Sequence, residues 1–131
     1  MLGKAREKIA RSGWENVTLV EANAEEVELP PESADAVLSF YTHDIMSSRR
    51  AVGRAVQALR HGGRFVVAGT RLVRGGRGRL LDPITLAYAQ RAITQPLTGQ
   101  PWKRLEELLG PLKVEEYLGG TSSIAFGVKT A

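Results

Sequence analysis

Two short apolar runs flank one amphipathic helical stretch, and that arrangement restricts the fold more than anything else in the sequence. Asp35-Ala-Val-Leu-Ser-Phe40 and Arg64-Phe-Val-Val-Ala-Gly69 are strand-length and apolar at most positions. A strand buried on both faces reads as a near-continuous apolar run, the mark of a parallel sheet. Between them, Val52, Ala55, Val56 and Leu59 fall at i, i+3, i+4 and i+7, one apolar stripe on a helix. Ser47 or Ser48 can cap that helix at its start, and Gly62-Gly63 is expected to end it. Strand, helix and strand at this spacing make a crossover unit, which is right-handed in nearly all sheets.

The rest of the chain extends the unit on both sides. Leu2, Ala5 and Ile9 share a helix face over residues 1–12, and Gly13 supplies the stop. That helix starts at Met1 with no capping side chain before it. Asn16-Val-Thr-Leu-Val-Glu21 has the β-branched content of a strand. Ala24 to Val27 is expected to form one helical turn, and Leu29 to Ser33 a turn. Asp82-Pro83 reads as an N-cap and first helical position, with a helix to about Thr94. Pro101 starts another, with Trp102, Leu105, Leu108 and Leu109 on one side and Gly110-Pro111 as its end. Lys113 to Leu118 and Ser122 to Lys129 read as two strands about Gly119-Gly120, with Ile124, Phe126 and Val128 alternating. The expectation is one α/β domain over residues 1–131, its sheet mostly parallel and closed by an antiparallel hairpin.

Composition removes whole classes of chemistry. There are no cysteines, so disulfides, thiolate zinc sites and cysteine nucleophiles are excluded. His43 and His61 cannot by themselves make a typical all-protein zinc site. No apolar run approaches the ~18 residues that span a bilayer. Met1 to Arg11 are charged, without the apolar stretch of a secretory signal, so a cytoplasmic protein is expected. The net charge is +4. Residues 1–65 hold nine Lys/Arg and nine Asp/Glu, while residues 66–131 hold nine and five, so the excess lies in the second half. Arg71, Arg74, Arg77 and Arg79 there interleave with Gly75, Gly76 and Gly78. This patch reads either as an anion or RNA contact or as a solvated loop. It lacks interleaved aromatics.

Four segments, in order, resemble the class I S-adenosylmethionine-dependent methyltransferases, in their small-molecule branch. Met1-Leu2-x-x-Ala5 resembles the helix after that family's second strand. Asn16-Val-Thr-Leu-Val-Glu-Ala-Asn-Ala24 resembles its third strand and the adenine-contacting end. Ser33-Ala-Asp-Ala-Val-Leu-Ser-Phe40 resembles the fourth strand. Ala58-Leu-Arg-His-Gly-Gly-Arg-Phe-Val-Val67 resembles the turn entering the fifth, with His61 in place of the usual proline. The resemblance implies a Rossmann-like sheet, S-adenosylmethionine as cofactor, and methyl transfer to a small-molecule acceptor, sometimes a lipid-like one. The family's first strand, its glycine-rich turn and the acidic residue after its second strand have no counterpart here. Gly62-Gly63 opens a strand, and Gly75-Gly76-x-Gly78 does not stand in a strand-turn-helix context. An N-terminally truncated or late-started chain is therefore expected. Val17 to Val20 then lack their neighbour, and one edge of Val37 to Phe40 is bared, a route to a homodimer. A methyltransferase-like domain that folds or dimerises without cofactor is the alternative, and an RNA-binding module through the arginines a further one.

The candidate site residues follow from the same segments. By resemblance, Asn23 contacts the adenine amino group where the family usually has aspartate. The Ala24 N–H meets the ring, and Glu25 follows. An Asn oxygen can accept that hydrogen bond without the charge, or Asn23 can instead make an Asx turn. Ser39 and Phe40 end a strand where α/β sheets bind ligands, although Phe40 can equally be core. His43 beside Asp44 is a candidate general base for an oxygen or nitrogen nucleophile, or a loop histidine next to a helix-capping Asp44. His61 reads as a loop residue. Leu80 to Ile93 and Trp102 to Leu109 can line a substrate pocket, touch lipid or pack on the sheet.

Overall fold

The computed structural model describes residues 2–70, 78–89 and 100–130. Helix α1 spans Leu2–Ser12, strand β1 Ala34–Phe40, helix α2 His43–Ser47, helix α3 Arg49–Ala58 and strand β2 Leu59–Thr70. Then come helix α4, Gly78–Ala89, helix α5, Lys103–Leu109, strand β3, Lys113–Tyr117, and strand β4, Ser122–Val128. The sheet order is β1-β2-β4-β3. β1 and β2 are parallel, joined by α2 and α3 as the crossover. β4 pairs antiparallel with β2 and with β3. The sheet is therefore mixed.

The expected strand over Asn16 to Glu21 is not formed; that segment is irregular. A strand holds only when a lateral neighbour takes its N–H and C=O groups, and no described strand lies beside it. Val17 and Val20 are accordingly exposed. For the same reason β1 is an edge strand, paired only with β2 among the described residues. α1 forms as its pattern implies but buries none of its residues fully. Gly13, at φ +66°, closes it, with the Trp14 N–H donating to the Ile9 carbonyl at 3.3 Å.

Strand alternation sorts the sheet into two faces. Val37 and Ser39, Phe65 and Val67, and Ser123 and Ala125 stand on the side covered by helices. There Phe65, Val67, Leu59, Met46, Val52 and Leu105 form the core, with Val37, Ala55, Val56, Leu109 and Leu112 packed against it. On the opposite side Leu38 is 62% and Phe40 53% exposed. Leu108 is exposed as well, so the α5 stripe narrows to Trp102, Leu105 and Leu109.

Ser48 caps α3, its hydroxyl accepting the Ala51 N–H at 3.2 Å. The helix ends at Ala58, before the two glycines. The Leu59 N–H closes its last turn onto the Ala55 and Val56 carbonyls. The Lys129 ammonium donates to the Val56 and Leu59 carbonyls at 3.1 and 2.7 Å, satisfying groups a helix end leaves open. Gly62 and Gly63 sit instead where β2 bulges against β1, between the Ala34–Leu59 and Ala36–Arg64 partners. Gly62 there has φ +78°. α4 begins at Gly78 rather than Asp82, so Pro83 lies inside it. Within it the Leu81 side chain packs on Gly119 in the β3–β4 turn, 3.1 Å from where a Cβ would stand.

Candidate active site at the carboxyl ends of the parallel strands

The segment after the irregular 16–21 stretch closes into a tight turn. The Asn23 side-chain oxygen accepts the Glu25 N–H at 2.9 Å. Its main-chain carbonyl accepts the N–H groups of Glu26 and Val27 at 3.0 and 2.8 Å. The Asx turn is therefore made, as small polar side chains favour. A carbonyl oxygen has two lone pairs, so the same Oδ1 can still accept one more donor. Two side chains of the crossover hold the turn. Ser48 donates to a Glu25 carboxylate oxygen at 2.5 Å. Arg54 donates from Nε to the Glu25 carbonyl at 2.7 Å and from Nη1 to the Val27 carbonyl at 3.0 Å.

Between turn and crossover lies a cleft of about 280 Å3. Ala22, Asn23, Ala24 and Glu25 form one wall, and Asp44, Ile45, Ser48 and Ala51 the other. Small-molecule pockets run from roughly 300 Å3 upwards, so it has room for one flat heterocycle rather than a whole nucleoside derivative. Methyl groups of three alanines and Ile45 supply apolar walls, and Asn23 supplies a neutral acceptor. An adenine ring fits that lining. No residue pattern in the sequence corresponds to the ribose and methionine contacts.

The end of β1 carries the other candidates. Ser39 is buried on the helix-covered face, its hydroxyl sharing a hydrogen bond with that of Thr42. Phe40 points to the opposite, open face, so it is not part of the core. Tyr41 turns the chain with φ +53°, the left-handed region that few non-glycine residues adopt. Its N–H donates to the Ala68 carbonyl at 2.9 Å. His43 then opens α2. Its ring atoms Cε1 and Nε2 lie 3.4 and 3.5 Å from the point where a Cβ on Gly69 would stand. The imidazole thus rests on the end of β2 at a residue without a side chain. Desolvation lowers its pKa below the ordinary 6.5, and the neighbouring Asp44 carboxylate offsets part of that. His43 is accordingly neutral at pH 7, as a proton acceptor must be.

The fold therefore gathers Asn23, Ala24 and Glu25 in one cleft with Asp44 and Ile45. Ser39, Phe40 and His43 do not line it. Asp44 stands in the first turn of α2, whose capping position is Thr42. His61 pairs with Glu32 at 2.7 Å on the surface, away from the cleft. The arginine-glycine stretch at 71–77 lies outside the described residues, as does the 90–99 part of the second apolar helix. Among the described residues no cluster of His, Cys, Asp or Glu could hold a metal, and no helix is long and apolar enough to cross a membrane. Neither Arg54 nor Gly69 carries a local signal of its place here. Arg54 only borders the apolar stripe of α3, and a glycine closing a strand is common.

Comparison with known proteins bears on the fold. A solved S-adenosylmethionine-dependent methyltransferase from Aquifex aeolicus superposes with a TM-score of 0.65 at 12% identity, over 98% of this chain and 63% of that one. One from Thermotoga maritima gives 0.68 at 19% identity, over 97% and 70%. The phosphoethanolamine N-methyltransferase 2 of Haemonchus contortus, in complex with phosphomonomethylethanolamine and S-adenosylhomocysteine, gives 0.74 at 17% identity, over 100% and 41%. The chain thus spans from about two fifths to seven tenths of these proteins' lengths, and the likeness establishes the fold. No curated protein sequence matches it. A family model described as methyltransferase domain matches residues 1–67, which hold α1, the Asn23 turn, β1, α2, α3 and the first nine residues of β2. With just over half of its residues in that match, on a Rossmann-like sheet shared with solved S-adenosylmethionine-dependent enzymes, the chain belongs to the methyltransferase domain family.

Proposed function

We propose that this chain is the adenine-binding and acceptor-facing part of an S-adenosylmethionine-dependent methyltransferase acting on a small molecule in the cytoplasm. The observation that carries the reading is the cleft between the Asn23–Glu25 turn and the α2–α3 crossover, within the segment that matches the family. Ala22, Ala24 and Ala51 would flank the adenine ring, and Asn23 would accept from its amino group. S-adenosylmethionine, when bound, supplies an electrophilic sulfonium methyl. His43, half-buried at the carboxyl end of the parallel pair, takes the proton that an oxygen or nitrogen nucleophile of the acceptor loses. Alignment and exclusion of water do the rest.

Calorimetric titration of the 131-residue chain with S-adenosylhomocysteine tests this directly. Saturable micromolar binding is expected, weakened about tenfold in Asn23→Ala by the loss of one hydrogen bond. A folded chain that binds nothing would instead make it a methyltransferase-like domain without cofactor binding.

We further propose that two copies associate along the outer edge of β1. That edge has no strand beside it among the described residues, and it lacks the lysines, prolines and bulged outer residues that usually blunt free edges. Sedimentation velocity should show a dimer of the 14.3 kDa chain. A monomer at every concentration removes the idea.

A further inference from the structure

Arg54 does something for the cleft that no motif announces. The turn that forms one wall has no sheet to hold it, because the residues leading into it are irregular and exposed. Its own bonds, from Asn23 to the N–H groups of Glu25, Glu26 and Val27, fix its shape. They do not fix its place against the other wall. Arg54 does: it crosses from α3 to the carbonyls of Glu25 and Val27, at 2.7 and 3.0 Å, over 29 and 27 residues of chain. Ser48 adds the Glu25 carboxylate from the same crossover while capping α3.

We infer that Arg54 is a positioning residue that sets the width of the adenine cleft by fastening the 23–27 turn to α3. The inference rests on the adenine-side reading of that cleft. Its chemistry suits arginine in particular. Two carbonyls two residues apart are met by two nitrogens of one rigid, always-charged fork, whereas an ammonium is a single compact charge on a flexible stem. Pre-set walls bind a flat ring without first having to order themselves, so losing the clamp weakens binding even though no group that touches the ring has changed. Ser48 cannot replace the clamp, since it reaches only the Glu25 side chain.

The test uses Arg54→Ala and Arg54→Lys in the full chain, with two readouts. In Arg54→Ala, amide hydrogen exchange at Glu26 and Val27 should quicken about tenfold or more, two charge-assisted hydrogen bonds having gone. Exchange in β2 and β4 should stay as in the wild type, which separates loosening of the turn from loss of the fold. The dissociation constant for S-adenosylhomocysteine should rise by a similar factor. Arg54→Lys should recover part of both. Unchanged exchange at Glu26 and Val27 overturns the clamp. Faster exchange with unchanged affinity overturns its role in setting the cleft. If the wild-type chain binds no S-adenosylhomocysteine, the functional reading fails and the cleft-setting role with it. The exchange data then still decide whether Arg54 holds the turn.

Discussion

If His43 is the base of the proposed methyl transfer, glutamine in its place should lower turnover about 10²–10⁴-fold, the usual contribution of a positioned general base. Glutamine keeps a polar side chain of similar reach but cannot take a proton near neutral pH. The pH dependence discriminates further. In the wild type, turnover should fall on acidification with an apparent pKa below 6.5, because burial disfavours the imidazolium and Asp44 restores only part of the loss. That limb should vanish in His43→Gln. Stability carries the same sign. Between its folded value and 6.5, His43 binds fewer protons in the folded chain than in the unfolded one. Its contribution is therefore complete above 6.5 and is lost as pH falls through that window. Urea melts at pH 7.5 and 5 should show a drop that the glutamine variant partly escapes. Undiminished turnover with an intact acid limb would rule His43 out as the base.

Phe65→Ala should destabilise the chain by about 3–5 kcal/mol, as truncation of a buried aromatic does. Phe65 is 2% exposed and stands mid-strand in β2, opposite Val37 on one side and Gly127 on the other. It packs within the cluster of Met46, Val52, Leu59, Val67 and Leu105. Gly127 offers no side chain to collapse into the space. Small domains hold only about 5–15 kcal/mol in total, so the cooperative urea transition should shrink towards vanishing. Leu38→Ala, on the open face one strand away, should change stability by no more than about 0.5 kcal/mol. Similar effects from the two substitutions would mean that the helices do not cover the face assigned to them.

The crossover was legible because its signals are local. The stripe Val52, Ala55, Val56, Leu59, the Ser48 cap and the two apolar runs each declare themselves within a few residues. The hairpin about Gly119-Gly120 was readable for the same reason. What escaped depends on distant neighbours. Val17 to Val20 have strand composition and form no strand, since composition does not supply the adjacent strand that pairing requires. Asp82-Pro83 looks like a helix start, yet the helix already includes Gly78 to Leu81 and carries Pro83 in its interior. In the site, Asn23 was readable as a turn former because an Asx turn is made within three residues. Arg54 was not, because its targets lie 27 and 29 positions away. Gly69 carries no such signal, since a missing side chain tells something only once His43 rests on it.

The Lys129 ammonium joins the carbonyls of Val56 and Leu59 over 73 and 70 residues of chain, and its main chain bonds the Gly62 N–H and the Gly63 carbonyl. In kinetic terms, the junction between α3 and β2 is closed by a non-local event. Helices form from neighbours in microseconds or less, whereas a closure of this span bears a loop entropy that its contacts repay only afterwards. On a ribosome the crossover can take shape early, yet that junction stays unlatched until residue 129 has emerged. The interval is governed by the rate of synthesis, and during it the edge of β2 that β4 will cover stands open to other chains.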